Sequence, residues 1–452
     1  MSTPKYLTKS LFSKAVKCPT KLYYSKKVDY PDKSLENVFL ESLAKGGFQV
    51  GELAKCYYPG GIMIEEKDYE TALTRTNELL ERESVIIYEA AFTYNDFFIR
   101  TDILVKEGNN IDLIEVKSKS YNSESDKFIG TKGTFASEWK PYVYDVAFQK
   151  YVLSKAYPEY ELKAYLYLAD KSSRASVDGL NQKFFIKKNN GRVEVITNGN
   201  VELESLGEKI LTLVNVDTEI QLIWDNGSNE DFMNLSFVDF IDCLATNFTK
   251  DEKVSLPVGK GCKSCEYKAN EEEISSGKKS GFIECWHNIL ERNAGQSEET
   301  ILYNIWNLRK IDEYFGEGKF FISQVDTSIF HEKKKKGTLG LTTKERQKLQ
   351  YDSMLNMQSN EYFDKDGVQS EMRKWIFPLH FIDFETSIVA IPFNKNMRPY
   401  ELIAFQYSHH VVYEDGRIEH AGQYINTEQG KFPNFEFLRN LKSELENDDG
   451  TI

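Results

Sequence analysis

The segment FFIRTDILVKEGNNIDLIEVKSKS, residues 97–120, constrains this chain more than any other stretch. Two runs of β-forming residues flank Glu107-Gly108-Asn109-Asn110, which reads as a tight hairpin turn. With Gly108 and Asn109 as a two-residue loop, the register sets Asp102 directly opposite Glu115. Opposed Cβ atoms in such a pair lie roughly 4.5–5.5 Å apart on one face. Two carboxylates so placed repel each other unless a cation sits between them. Lys117, two residues beyond Glu115, projects from the same face as Leu113 and Glu115, while Asp112, Ile114 and Val116 share the other. Charges on the packed face of a strand are costly. The plain alternative is a surface hairpin whose acid and lysine form a solvated pair.

The surroundings predict an α/β core. Residues 1–45 read as helical and 69–83 as an amphipathic helix. Strands follow at 85–92, 97–106 and 111–118, then a helix at 142–156 and an apolar strand at 161–169. Residues 171–240 mix strand-like FFIKK and VEVIT with loops, as an insertion or a continued sheet edge. The pattern divides into three segments: 1–295, a helical and basic connector at 296–372 with a helix at 298–316, and 373–452. A chain of 452 residues has room for that many cores. No run of about 18 apolar residues offers a membrane span, and the basic N-terminus lacks the apolar stretch of a secretory signal, so a cytoplasmic protein is expected.

A net charge of −13 argues against a protein coated in nucleic acid, but local charge decides where phosphate binds. The first 27 residues hold seven lysines and no acid, and a second basic run covers Lys333 to Lys336. Asp102 and Glu115 are the expected ligands of magnesium or manganese, with the Val116 carbonyl as a further one. Such a metal lowers the pKa of a bound water and neutralises charge on a scissile phosphate, and Lys117 would orient that water or stabilise the transition state.

This arrangement resembles the PD-(D/E)XK nucleases, and more closely their RecB-type branch. The resemblance implies a restriction-endonuclease-like mixed sheet with flanking helices. In that branch a helix after the core strands carries a glutamine, with a tyrosine nearby, that contacts DNA. Gln149 in YDVAFQKYVL matches by position, and Tyr151 stands closer than the usual spacing. Many members add an upstream histidine ligand. The first histidine here is His287, so Glu52 in GFQVGELAK is the nearest substitute, with Glu36 and Glu41 as rivals.

Cys262 and Cys265 form a CxxC, Cys285 follows in GFIECW, and Cys18 lies in KCPTKLYYS, while Cys56 and Cys243 fit no pattern and read as core thiols. Four thiolates suit zinc or an iron–sulphur cluster, and spacing does not separate them. The pattern is similar to the iron–sulphur exonucleases of CRISPR adaptation and of AddB-type helicase–nucleases, with one cysteine before a RecB-type core and three after it. That likeness implies a 4Fe-4S cluster, with zinc as the alternative.

FPLHFIDFETSIVAIP reads as a buried strand bearing Asp383 and Glu385 on one face. It resembles the first motif of DnaQ-like (DEDD) exonucleases, and PYELIAFQYSHHVVYEDGRIEH the next two antiparallel strands of a partial RNase H-like segment. His409-His410 reads as structural. The whole layout resembles an uncharacterised bacterial family with a RecB-like front and a DnaQ-like back. Together these features predict a metal-dependent deoxyribonuclease acting on single-stranded DNA or DNA ends. With no P-loop, any helicase would be a partner protein. The rival reading is a catalytically inactive nucleic-acid-binding scaffold in a defence or repair complex.

Overall fold

The computed structural model describes residues 4–36, 38–131, 133–189, 192–197, 201–293, 296–331, 340–355, 361–428 and 430–452. The lysine run 333–336 lies outside the described residues. The chain forms two compact units, one of Met1–Tyr23, Val38–Val254 and Phe377–Ile452, the other of Tyr24–Asn37 and Ser255–Ile376.

The first unit is built on a mixed seven-stranded sheet. Its strands are β1 (Leu7–Thr8), β2 (Ile62–Met63), β3 (Ser84–Tyr94), β4 (Phe97–Glu107), β5 (Asn110–Tyr121), β6 (Glu161–Asp170) and, after a separate hairpin of β7 (Phe184–Asn189) and β8 (Arg192–Thr197), β9 (Leu211–Asn215). The order is β2-β3-β4-β5-β6-β9, with β1 beside β4. β3, β4 and β5 are an antiparallel meander, and β6 runs parallel to β5. A parallel neighbour needs a crossover, and the helix Lys140–Ala156 supplies it. Gly108 takes φ +57°, the left-handed conformation that the first central position of a tight hairpin asks for.

Each face of the sheet has its own apolar core. Leu104, Ile111 and Leu113 pack with Val143, Val146, Ala147 and Phe148 of the Lys140–Ala156 helix. Ile103 and Ile114, on the opposite face, pack with Val50, Leu53 and Ala54 of the helix Val38–Cys56. β5 is therefore covered on both sides, which excludes the solvated surface hairpin.

Three further strands, β10 (Leu379–Ser387), β11 (Ile403–Val412) and β12 (Ile418–Ile425), form an antiparallel sheet in that order, followed by the helix Asn434–Leu445. Thr451 then bridges Leu379 of β10 in parallel. The sequence boundaries at 295 and 372 do not coincide with those of the units. Residues 373–452 do not stand apart, because the loop after β10 is sewn into the first unit. The amides of Ala175 and Gly179 donate to the carbonyls of Met397 and Phe393 at 2.9 and 2.7 Å, and Ala390 and Ile391 join the core around Val50.

The second unit gathers Phe282, Trp286, Leu302, Tyr303, Phe321 and Tyr351 into a separate core. The helix expected at 298–316 is realised only as Ile311–Gly316. Before it, Ile301, Leu302, Tyr303 and Ile305 are all buried, and so dense an apolar run cannot present a single helical stripe. It folds instead as short turns, pinned where the Leu302 amide donates to the Phe320 carbonyl at 2.9 Å. The segment GLTTKERQKLQ starts the helix Thr343–Leu355 with a reciprocal cap between Thr342 and Glu345, and its Gln347 and Tyr351 face inward. Among the described residues no helix is long and apolar enough to cross a membrane.

Candidate functional site

The β4–β5 ladder pairs Glu107 with Asn110 and continues to Ile103 opposite Ile114, the register the turn chemistry implies. There the strands part. The Asp102 carboxylate accepts the Val116 amide at 2.7 Å, where a ladder bond would otherwise form. On the other side of β4, Tyr88 pairs with Ile103 and Ala90 with Thr101, while Glu89 between them takes φ +58°. Asp102 is thus held where the backbone departs from regular sheet on both flanks, a kind of distortion that clusters at functional positions.

β1 occupies the edge of β4 that β5 vacates, pairing Leu7 with Phe97 and Thr8 with Phe98. The helix Lys9–Lys17 starts at the next residue and so delivers Lys9 to the gap. The Lys9 ammonium lies 2.8 and 2.9 Å from the two Glu115 oxygens and 3.8 Å from Asp102. Lys117 reaches Glu115 Oε1 at 2.8 Å and Asp145 Oδ2 at 3.1 Å. Gln149 Nε2 donates to Glu115 Oε2 at 2.8 Å, and the Ser13 hydroxyl donates to Asp145. Asp102, Glu115, Lys117 and Gln149 therefore converge, with both carboxylates and the lysine on the face covered by the Lys140–Ala156 helix.

Glu115 is 1 % exposed and Asp102 30 %. Burial is the largest influence on both. For Asp102, burial and the neighbouring Glu115 charge push the carboxyl up to about 7. For Glu115, burial is outweighed by the Lys117 and Lys9 ammonium groups, which hold it below the ordinary carboxylate range. Burial likewise opposes the charge on Lys117, but Glu115 and Asp145 keep it above the usual lysine range. Lys117 therefore stands as an ammonium held between two carboxylates. Gln149 is fully buried, and among the described residues its Oε1 has no hydrogen-bond partner.

Other expected residues lie elsewhere. Glu52 sits on the helix Val38–Cys56, which covers the opposite face, and its carboxylate pairs with Lys55 at 3.2 Å. That helix also carries Glu41, paired with Lys45 at 3.4 Å, so neither joins Asp102 and Glu115. Glu36 lies in a short turn in the other unit. Tyr151 packs against Phe97, Trp224 and Phe237 as a core ring. Cys56 and Cys243 are half-buried. Among the described residues no group of three or more His, Cys, Asp or Glu side chains is gathered to hold a metal ion. Cys262, Cys265 and Cys285 each pack against the second unit's core, with Cys285 Sγ 3.6 Å from the Tyr24 hydroxyl, and Cys18 belongs to the first unit.

Sequence reading missed Lys9, Ser13 and Asp145. The signal was present in the spacing. Lys9 and Ser13, and Asp145 and Gln149, are each four residues apart and share a helical face.

In the C-terminal sheet, Asp383 and Glu385 of β10 are both exposed, opposite Ser408 and Gln406, where a buried strand was expected. The buried polar cluster lies nearby. His380 Nδ1 meets His409 Nε2 at 2.9 Å, the outer nitrogens meet Asp448 at 2.8 Å and Glu444 at 2.9 Å, and the Tyr407 hydroxyl donates to Glu444 at 2.8 Å.

A family model described as a domain of unknown function, DUF2779, matches residues 380–452. No curated protein and no solved structure matches the chain.

Proposed function

We propose that the first unit is a metal-dependent deoxyribonuclease of the PD-(D/E)XK class, hydrolysing phosphodiester bonds in single-stranded DNA or at DNA ends. The observation that carries this reading is the convergence of Asp102, Glu115, Lys117 and Gln149 at the point where β4 and β5 part. On the same reading the mixed sheet is restriction-endonuclease-like. The three C-terminal strands, with Thr451 bridging β10 in parallel, are a partial RNase H-like segment of the DnaQ type.

The donor set suits a hard divalent cation. Magnesium and manganese favour oxygen ligands, and magnesium is often held by one or two carboxylates with water completing its shell. Asp102 and Glu115 would hold it, with the buried Gln149 Oε1, which has no partner among the described residues, as a nearby acceptor. When bound, the cation supplies a more acidic water nucleophile and offsets charge on the phosphate. The chain's own groups set the rest. Asp145 fixes the Lys117 ammonium beside Glu115, where it can pair with a non-bridging phosphate oxygen as negative charge develops. Gln149 locks the Glu115 carboxylate so that its oxygens do not rotate away. The pattern of Cys18, Cys262, Cys265 and Cys285 supports a structural 4Fe-4S cluster, with zinc as the alternative.

The test is cleavage of end-labelled DNA with manganese by the wild type and by Lys117→Ala. Wild-type cleavage that falls by about 100-fold or more in the variant, the scale for losing one preorganised charge donor, is expected. Equal cleavage by the two proteins removes the assignment. Salt-sensitive DNA binding without cleavage in any divalent metal would favour the inactive scaffold.

A further inference from the structure

Glu115 has no room for a metal ion as it stands. Lys9 takes both of its oxygens, Lys117 shares Oε1 and Gln149 shares Oε2. A carboxylate offers about four lone-pair positions, and these four contacts use them. One donor has to leave before a cation can bind.

The three donors differ in what they have to fall back on. Gln149 is fully buried. Lys117 keeps a second acceptor in Asp145. Among the described residues the ion pairs of Lys9 are with Glu115 and Asp102, the two groups a metal would take. Its ammonium already stands where a cation between the two carboxylates would stand. Its side chain is 24 % exposed, and it is the first residue of its helix, so it has a path outward.

We propose that Lys9 is an internal counter-ion that occupies the metal position in the resting protein and is displaced to the substrate phosphate when the metal enters. This rests on the nuclease reading of the same carboxylates. Metal alone must compete with a covalently tethered ammonium whose effective concentration is high. Once displaced, Lys9 has lost its acceptors, and a nucleic-acid phosphate gives it a new one. Metal and nucleic acid then strengthen each other's binding, since such coupling is reciprocal.

The experiment is calorimetric titration of manganese into the full chain, with and without a phosphorothioate single-stranded oligonucleotide. Wild type is compared with Lys9→Gln, which keeps an amide donor for Glu115, and with Lys9→Met. Thermal melting establishes that each variant is folded, and Asp102→Asn reports whether binding is at this site. Both Lys9 variants are expected to bind manganese about tenfold tighter than wild type, the equivalent of losing one charge-assisted bond. The oligonucleotide is expected to tighten manganese binding to wild type and to leave Lys9→Gln unchanged. Binding that depends on Asp102 but is equal or weaker in the Lys9 variants overturns the counter-ion and leaves the nuclease reading standing. The same holds if the oligonucleotide affects wild type and Lys9→Gln alike. Absence of Asp102-dependent binding in all of these proteins overturns both.

Discussion

Glu115 stays ionised in a nearly dry position because two ammonium groups and an amide donate to it. Asp102 has one backbone amide at 2.7 Å and an ammonium at 3.8 Å, and it faces the Glu115 charge. An acid whose pKa is higher folded than unfolded loses stability on ionising, so the native state is progressively destabilised as pH rises from 3.8 towards about 7. Asp102→Asn removes that cost. The variant is expected to melt above wild type at pH 8, with the difference fading towards pH 4, and to lose manganese binding. A melting temperature below wild type at pH 8 would contradict the assignment. Glu115→Gln has the opposite sign, because it leaves Lys9 and Lys117 without their shared counter-charge. Denaturant unfolding at neutral pH should show a loss of about 3 kcal/mol, the scale for breaking a buried ion pair from one side. Protons also compete with metal at Asp102, so manganese affinity should rise as pH increases through about 7. Affinity flat from pH 6 to pH 8 would show that Asp102 is already ionised below that range.

At the scale of elements, the hairpin was legible because a turn and a strand carry their geometry locally. Gly108 fixes the register, and alternation then places Asp102, Glu115 and Lys117 on one face. What was not legible is where the ladder stops. The opening between β4 and β5 depends on β1, a strand of only two residues about 90 positions upstream, and so short a strand has no periodicity to read. Lys9 was visible as one lysine among seven, without any sign of its partner. The C-terminal sheet teaches the same lesson. The acidic pair on β10 drew attention by its spacing, yet the buried cluster joins β10, β11 and the helix Asn434–Leu445 through His380, His409 and Glu444. Glu444→Gln removes the charge that His409 and Tyr407 share and sets an amide donor in place of the acceptor of one of them. Amide exchange in β11 is expected to accelerate by about tenfold or more, since bonds to a charged group contribute about 1.5–3 kcal/mol. Unchanged protection there would show that the cluster does not hold the sheet to its helix.

At the scale of the whole molecule, the sequence reading ran in consecutive blocks, while the chain interleaves. Residues 24–37 belong with 255–376 because Tyr24 and Tyr30 both bond Glu284, Tyr267 bonds Asp32, and Lys33 pairs with Glu273. Such pairings join polar residues more than 200 positions apart, which no local pattern foretells. Cysteine spacing is the one pattern that was read across such a distance, and it carries a prediction of its own. Cys262, Cys265 and Cys285 share the margin of one core, where half-buried thiols of no further use would be ordinary packing residues. If they and Cys18 are ligands, full-length protein purified without oxygen should contain iron and acid-labile sulphide and absorb near ~400 nm, as expected of thiolate-bound clusters. Zinc in their place selects the alternative. Cys18→Ser and Cys262→Ser should each lose the metal, and Cys56→Ser, on the helix Val38–Cys56, should retain it. The comparison is decisive because ligand loss and general destabilisation separate. Metal content falls with the first two variants alone if the thiolates bind it. If Cys18→Ser holds as much metal as wild type, the four-cysteine site is excluded, whatever the other three thiols do.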